Sequence, residues 1–303
     1  MTAYAHPEYL VEPDWLQAHL DDPAVRVVDV TGKLTSKRVN RAREDCFDVV
    51  HIPGAVFVDV GGANGEFHDP DAELPWTWAA PERFAALMGR CGIGNDTHVV
   101  LVAATPRPGI DSGTMWCTRA WWTMHHFGVR CSILVGGMER WTAEGRPVTA
   151  EPTVVAPTTF RVAEGWERGR AAKDDVLAAL GSADACVLDA LGADTFAGTG
   201  DSYGPRKGHI TGAVNVPFRS LLAAETAAFE DPATVRARLD AQGLFERAEV
   251  VAYCGGAIAA TTTAFALALF DHPRVSVYDG SLLEWAADET LPMTDPSATG
   301  ARS

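Results

Sequence analysis

Four segments of this 303-residue chain recur in the same order in its second half, and that repetition constrains the fold more than any other feature. Val28-Asp29-Val30 is answered by Val187-Leu188-Asp189-Ala190, and His51-Ile52-Pro53-Gly54-Ala55 by Gly208-His209-Ile210-Thr211-Gly212-Ala213. His98 to Ala104 is answered by Glu249 to Cys254, and Leu134 to Trp141 by Val277 to Trp285. The chain therefore holds two copies of one unit. Each copy alternates short apolar runs with helical stretches, such as Pro81 to Met88 and Thr114 to Phe127. Runs with no polar face read as strands covered on both sides. The expected fold is α/β: two tandem domains, each a mostly parallel sheet with helices on both faces. Proline recurs without a period around Gly145 to Thr153, which predicts a linker. The expected boundaries are a first domain over 1–145, a linker over 146–157 and a second domain over 158–303.

Charge and cysteine usage remove several function classes. A formal charge of −15 with no basic stripe excludes nucleic acid as a partner. Residues 1–7 lack a basic region followed by an apolar run, so no signal peptide is expected. The most apolar stretch, Ala257 to Phe270, is too short to span a bilayer and contains three threonines, so no membrane is expected. The six cysteines show no paired ligand spacing, so neither a metal nor another cofactor is implied. Reduced thiols predict a cytoplasmic protein.

Within the repeat, one cysteine stands apart. Val250-Val251-Ala252-Tyr253 reads as a buried strand, Cys254-Gly255-Gly256 as a tight loop, and Ala257 to Leu269 as a helix. In the duplicated frame Cys254 stands where the first half has Ala104, followed by a longer loop with two prolines, which remove amide donors. Only the second half therefore presents a thiol above a compact, amide-lined loop. Gly255 and Gly256 permit close approach, and the loop amides with the following helix N-terminus would stabilise a thiolate and hold an anion bonded to it. The competing reading is a buried structural cysteine beside a strand.

These residues resemble a tandem-domain rhodanese, the family of thiosulfate and 3-mercaptopyruvate sulfurtransferases. The resemblance runs from Pro7 to Pro292 and rests on His51–Ala55 with Ala120-Trp121-Trp122, on Gly208–Ala213 with Asn215-Val216-Pro217, and on Tyr253–Ala260 with Tyr278–Trp285. It implies a silent first domain and a Cys254 persulfide. Cys254 takes a sulfane sulfur from a small anionic donor, forming that persulfide, and passes it to a thiol, cyanide or a small thiol protein. It implies substrate binding by Arg206 and by the loop Gly255, Gly256, Ala257, Ile258 and Ala259, with His51, Asp189 and His209 in support. The chain departs from the family pattern at Leu191 and Thr195, two commonly basic positions. Its loop, Cys-Gly-Gly-Ala-Ile-Ala, carries neither the basic residues of the thiosulfate type nor the hydroxyls of the Cys-Gly-Ser-Gly-Val-Thr mercaptopyruvate type. Its neutrality is nearer the latter. The alternative is a degenerate rhodanese that binds or scaffolds with little activity on the usual donors. A cysteine phosphatase is excluded because Ala260 stands where its phosphate-clamping arginine is required. A cysteine hydrolase has only His209 and His272 as candidate bases in this half, neither in a supporting motif.

Overall fold

A computed structural model describes residues 2–63, 65–224, 226 and 228–299. The chain divides into two compact units. The first contains residues 8–166, with 226 and 228. Its five-stranded sheet runs in the order Leu10–Val11, Arg130–Leu134, His98–Val102, Val25–Asp29, Val56–Phe57, and every pair is parallel. The second contains residues 167–224 and 229–299 together with 2–7. Its sheet repeats the order as Arg170–Ala171, Val275–Tyr278, Glu249–Tyr253, Ala185–Asp189, Val214–Asn215, again all parallel. A small antiparallel pair, His209–Ile210 with Met293–Thr294, is added to the second unit.

The strands are strands for the reason the sequence suggested. His98–Val102 is buried along its whole length, and Glu249–Tyr253 at all but its first residue. Helix Ala260–Leu269 is buried at all but one position, so it shows no polar stripe and packs between strand and surrounding elements. In the first unit Val27, Phe47, Ile52, Val100, Val102, Leu134 and Trp141 share one cluster. Trp285 and Trp141 occupy matching places, and each indole N–H donates to a proline carbonyl, Pro292 and Pro147 respectively.

Two expected boundaries move. The segment expected to begin the second domain at 158 is strapped onto the first unit as far as Trp166. The Thr158 amide donates to the Gly89 carbonyl at 3.0 Å, the Ala163 amide to the Phe127 carbonyl at 2.9 Å, and Trp166 stacks on Phe127. The N-terminal residues join the second unit, where the Ala5 and His6 amides both donate to the Leu269 carbonyl. Proline-rich composition registers the absence of regular structure, not the absence of packing.

The register corrects one further expectation. Asp29 pairs with Val102 and Asp189 with Tyr253. Val30 and Ala190 then donate to the carbonyls of Val102 and Tyr253. The residue that matches Cys254 is therefore Ala103, one position before Ala104.

Candidate active site

Cys254 is the first residue past strand Glu249–Tyr253, and it is almost completely buried. The helix expected from Ala257 begins at Ala260. The residues between wrap the sulfur, because Ala257 takes a left-handed conformation (φ +58°) that no helix can contain. The backbone amides of Ala260, Gly256 and Ile258 face the sulfur and favour negative charge on it. Of the five loop residues expected to bind substrate, Gly256 and Ile258 thus turn their amides toward the sulfur.

The other amides hold the loop itself. Ser281 Oγ accepts from the amides of Cys254 at 3.2 Å and Ala257 at 3.0 Å, and donates to the Tyr278 carbonyl at 2.8 Å. The Leu282 and Leu283 amides, at the start of helix Ser281–Trp285, donate to the carbonyls of Cys254 and Gly255. Gly255 meets a side chain directly. A Cβ placed there would lie 2.1 Å from the Tyr203 ring, so the phenol rests directly on the glycine backbone. Ala259 is the N-cap of the helix, in a right-handed conformation and with no side-chain bond. The two site residues that sequence reasoning missed are Ser281 and Tyr203.

Electrostatics at the sulfur differ from the expected stabilised thiolate. Burial pushes the Cys254 thiol above the ordinary cysteine value; the amides of Ala260, Gly256 and Ile258 pull it down without reversing this, and the charge on Asp189 adds to the rise. Asp189 is itself buried, and burial raises its carboxyl to about 6 despite the Leu191 amide and the Tyr253 hydroxyl. Its Oδ1 accepts from the Leu191 amide at 2.8 Å, closing the turn after the strand. Asp29 does the same for Thr31 in the first unit and is likewise raised to about 6 by burial.

The expectation that Arg206 binds the donor anion is corrected. Its Nε donates to the Ala286 carbonyl, Nη1 to Leu291, and Nη2 to both Trp285 and Asp288. The guanidinium is spent on the carbonyls of Trp285 and Ala286 at the end of helix Ser281–Trp285, where a cation is favoured by the helix dipole, and on those of Asp288 and Leu291 in the loop beyond. His209 and His51 are matched devices for shaping turns. His209 stacks on Phe196 at 3.6 Å and donates from Nδ1 to its carbonyl. His51 does so with Phe47 at 4.1 Å. Neither approaches Cys254 through any of these contacts.

The first unit closes its corresponding loop. There the Ala104 amide donates to Thr31 Oγ1 and the Thr105 amide to Glu139 Oε1, while Arg107 forms a bidentate pair with Asp111. These amides are taken by side chains of the protein.

Comparison with known proteins shows the family. A rhodanese-like domain is recognised twice, over residues 12–144 and 172–288. The chain is 32% identical over 294 residues to the sulfur carrier protein TtuD of Thermus thermophilus, covering 93% of this chain and 95% of that one. It is 32% identical over 284 residues to the thiosulfate sulfurtransferase of Bos taurus, covering 91% of each. The crystal structure of a 3-mercaptopyruvate sulfotransferase from Escherichia coli superposes with a TM-score of 0.77 at 29% identity, over 90% of this chain and 98% of that one.

Proposed function

The chain belongs to the rhodanese family and is a sulfurtransferase, and from that premise we propose that Cys254 carries the transferred sulfur as a persulfide. The observation that supports this most is the cradle of three amides around the Cys254 sulfur, matched in the other unit only by Ala103. Such a cradle stabilises negative charge on sulfur without a resident cation. The first domain is then catalytically silent.

With thiosulfate as donor, the Cys254 thiolate attacks the outer sulfur, the sulfur–sulfur bond of the donor breaks, and sulfite leaves with the electron pair. With 3-mercaptopyruvate the carbon–sulfur bond breaks, the thiol proton ends on carbon, and pyruvate leaves. An acceptor thiol or cyanide then attacks the outer sulfur and restores the Cys254 thiolate. The loop has no charged side chain, and Arg206 is occupied elsewhere, so a singly charged donor such as 3-mercaptopyruvate suits the site better than doubly charged thiosulfate. A small thiol protein is an acceptor consistent with a relative named as a sulfur carrier. All six cysteines are free, which suits the cytoplasm, and no helix among the described residues is long and apolar enough to cross a membrane.

Intact-mass spectrometry tests the proposal. After incubation with thiosulfate, 3-mercaptopyruvate or a small-molecule persulfide, the protein should gain one sulfur. The gain should vanish on adding cyanide or a thiol and be absent in Cys254→Ser. No gain with any of the three donors would refute sulfur carriage and favour a binding role.

A further inference from the structure

The stretch Ser202 to Arg206 is built to place one aromatic side chain. Ser202 Oγ donates to the Gly204 carbonyl at 2.6 Å, closing a tight turn. Gly204 lies so close to helix Ser281–Trp285 that a Cβ on it would sit 2.8 Å from Ala286 Cβ. Arg206 then ties the end of the turn to four carbonyls, two at the close of that helix and two in the loop beyond it. Between these anchors Tyr203 is half-buried, with the Cδ1–Cε1 edge of its ring on Gly255, next to the reactive sulfur. Its hydroxyl has no hydrogen-bond partner among the described residues. A phenol so fixed, with its ring packed and its O–H unused, is a donor held ready for something outside the chain.

We propose that Tyr203 contacts the substrate, donating its phenol hydrogen to the anionic group of the sulfur donor while Cys254 takes the sulfur, and that Arg206 is the residue positioning it. This rests on the sulfur-transfer reading for its substrate, but the anion contact can be tested without sulfur chemistry. Burial, with the nearby Cys254, Asp201 and Asp189 charges, pushes the phenol up to about 12, so the proton stays on oxygen throughout the neutral range. A neutral donor here takes the place of a side-chain cation. It recognises an anion without drawing in a second negative charge.

The test compares Tyr203→Phe, which keeps the ring on Gly255, with the wild-type protein. Cys254 is alkylated with iodoacetate, which carries a carboxylate, and with iodoacetamide, which is the same size and neutral; modification is read at the Cys254 peptide. The variant should react with iodoacetate roughly ten- to a hundredfold more slowly, the range expected for one hydrogen bond to a charged group, and with iodoacetamide at nearly the wild-type rate. Sulfur loading should slow to a similar degree through a raised KM while still ending at one sulfur. Gly255→Ala, which drives the ring off the loop, should produce the same discrimination between reagents. Equal effects on both reagents, or none, would reduce Tyr203 to packing and overturn the proposal. Failure of both reagents to reach Cys254 in the wild type would also overturn it, because a donor anion would then have no route. A wild-type protein that shows the Tyr203-dependent iodoacetate preference but never loads sulfur would overturn the persulfide reading and leave the anion contact standing.

Discussion

Replacing Ser281 measures how far one hydroxyl holds the sulfur loop in shape. Its Oγ makes three hydrogen bonds, two accepted from the Cys254 and Ala257 amides and one donated to the Tyr278 carbonyl, and the residue is fully buried. Ser281→Ala removes all three bonds from a dry place. At about 1 kcal/mol for each of the three bonds, the loss is about 3 kcal/mol. Ser281→Gly loses the same bonds but relieves a left-handed backbone (φ +47°), worth roughly 1–2 kcal/mol for an L-residue. The expected order of stability is therefore wild type, then glycine, then alanine. In an ordinary helical position glycine would be the worse of the two substitutions. Hydrogen exchange read by mass spectrometry on a peptide spanning 250–260 reports it locally. The Cys254 and Ala257 amides should exchange about a hundredfold faster in the alanine variant, and sulfur loading should slow in step. Wild-type exchange in Ser281→Ala, or an alanine variant more stable than the glycine one, would refute the reasoning.

The buried carboxylates give a pH prediction with a definite sign. Asp29 and Asp189 have folded values near 6 against 3.8 when exposed, so the folded protein holds their protons more tightly. Their contribution to stability is present below pH 4 and is lost as the pH rises through about 6, up to about 3 kcal/mol each. Asp29→Asn and Asp189→Asn should both raise the thermal midpoint at pH 7 and change it little at pH 4. Only Asp189→Asn should also move iodoacetamide alkylation of Cys254 to lower pH, because it removes a like charge from the thiol; equal alkylation profiles in the two variants would contradict this. Ala103→Cys should give a first-unit thiol that gains no sulfur by intact mass, since the Ala104 and Thr105 amides already serve Thr31 and Glu139. A second sulfur on that variant would show that a cysteine alone suffices.

The sheets were legible because strands covered on both faces must be apolar through their middles, and residues 99–102 and 250–252 are. The start of the last long helix was not. Ala257-Ile258-Ala259-Ala260 is good helix sequence, and what breaks it is a bond to Ser281, distant in sequence, that holds Ala257 left-handed. Arg206 was misread for a similar reason. Its charge is visible in the sequence, but the helix end that consumes it lies some eighty residues away and becomes a partner only on folding. Tyr203 left a faint signal, a lone aromatic in a polar stretch just before Gly204-Pro205, where a turn is expected.

Ser281 left a clearer signal, and it lay in the duplication. Its counterpart by position before the closing tryptophan is Gly137, and both take left-handed backbone, at φ +47° and +57°. Glycine is the residue such a position favours, so the half that keeps glycine follows the backbone and the half that departs from it bears a strain of roughly 1–2 kcal/mol. The strain is retained where the hydroxyl anchors the loop that carries Cys254, and it is absent where Ala103 stands in the cysteine's place. A repeated fold thus provides its own control. Where two copies share a backbone conformation and one carries the costlier residue, that residue answers to chemistry, because the fold has already been made without it. The same comparison separates Asp189 and His209 from Ser281. Both have working equivalents in the first half, Asp29 and His51, with the same bonds, so the demands of the shared fold are sufficient to account for them.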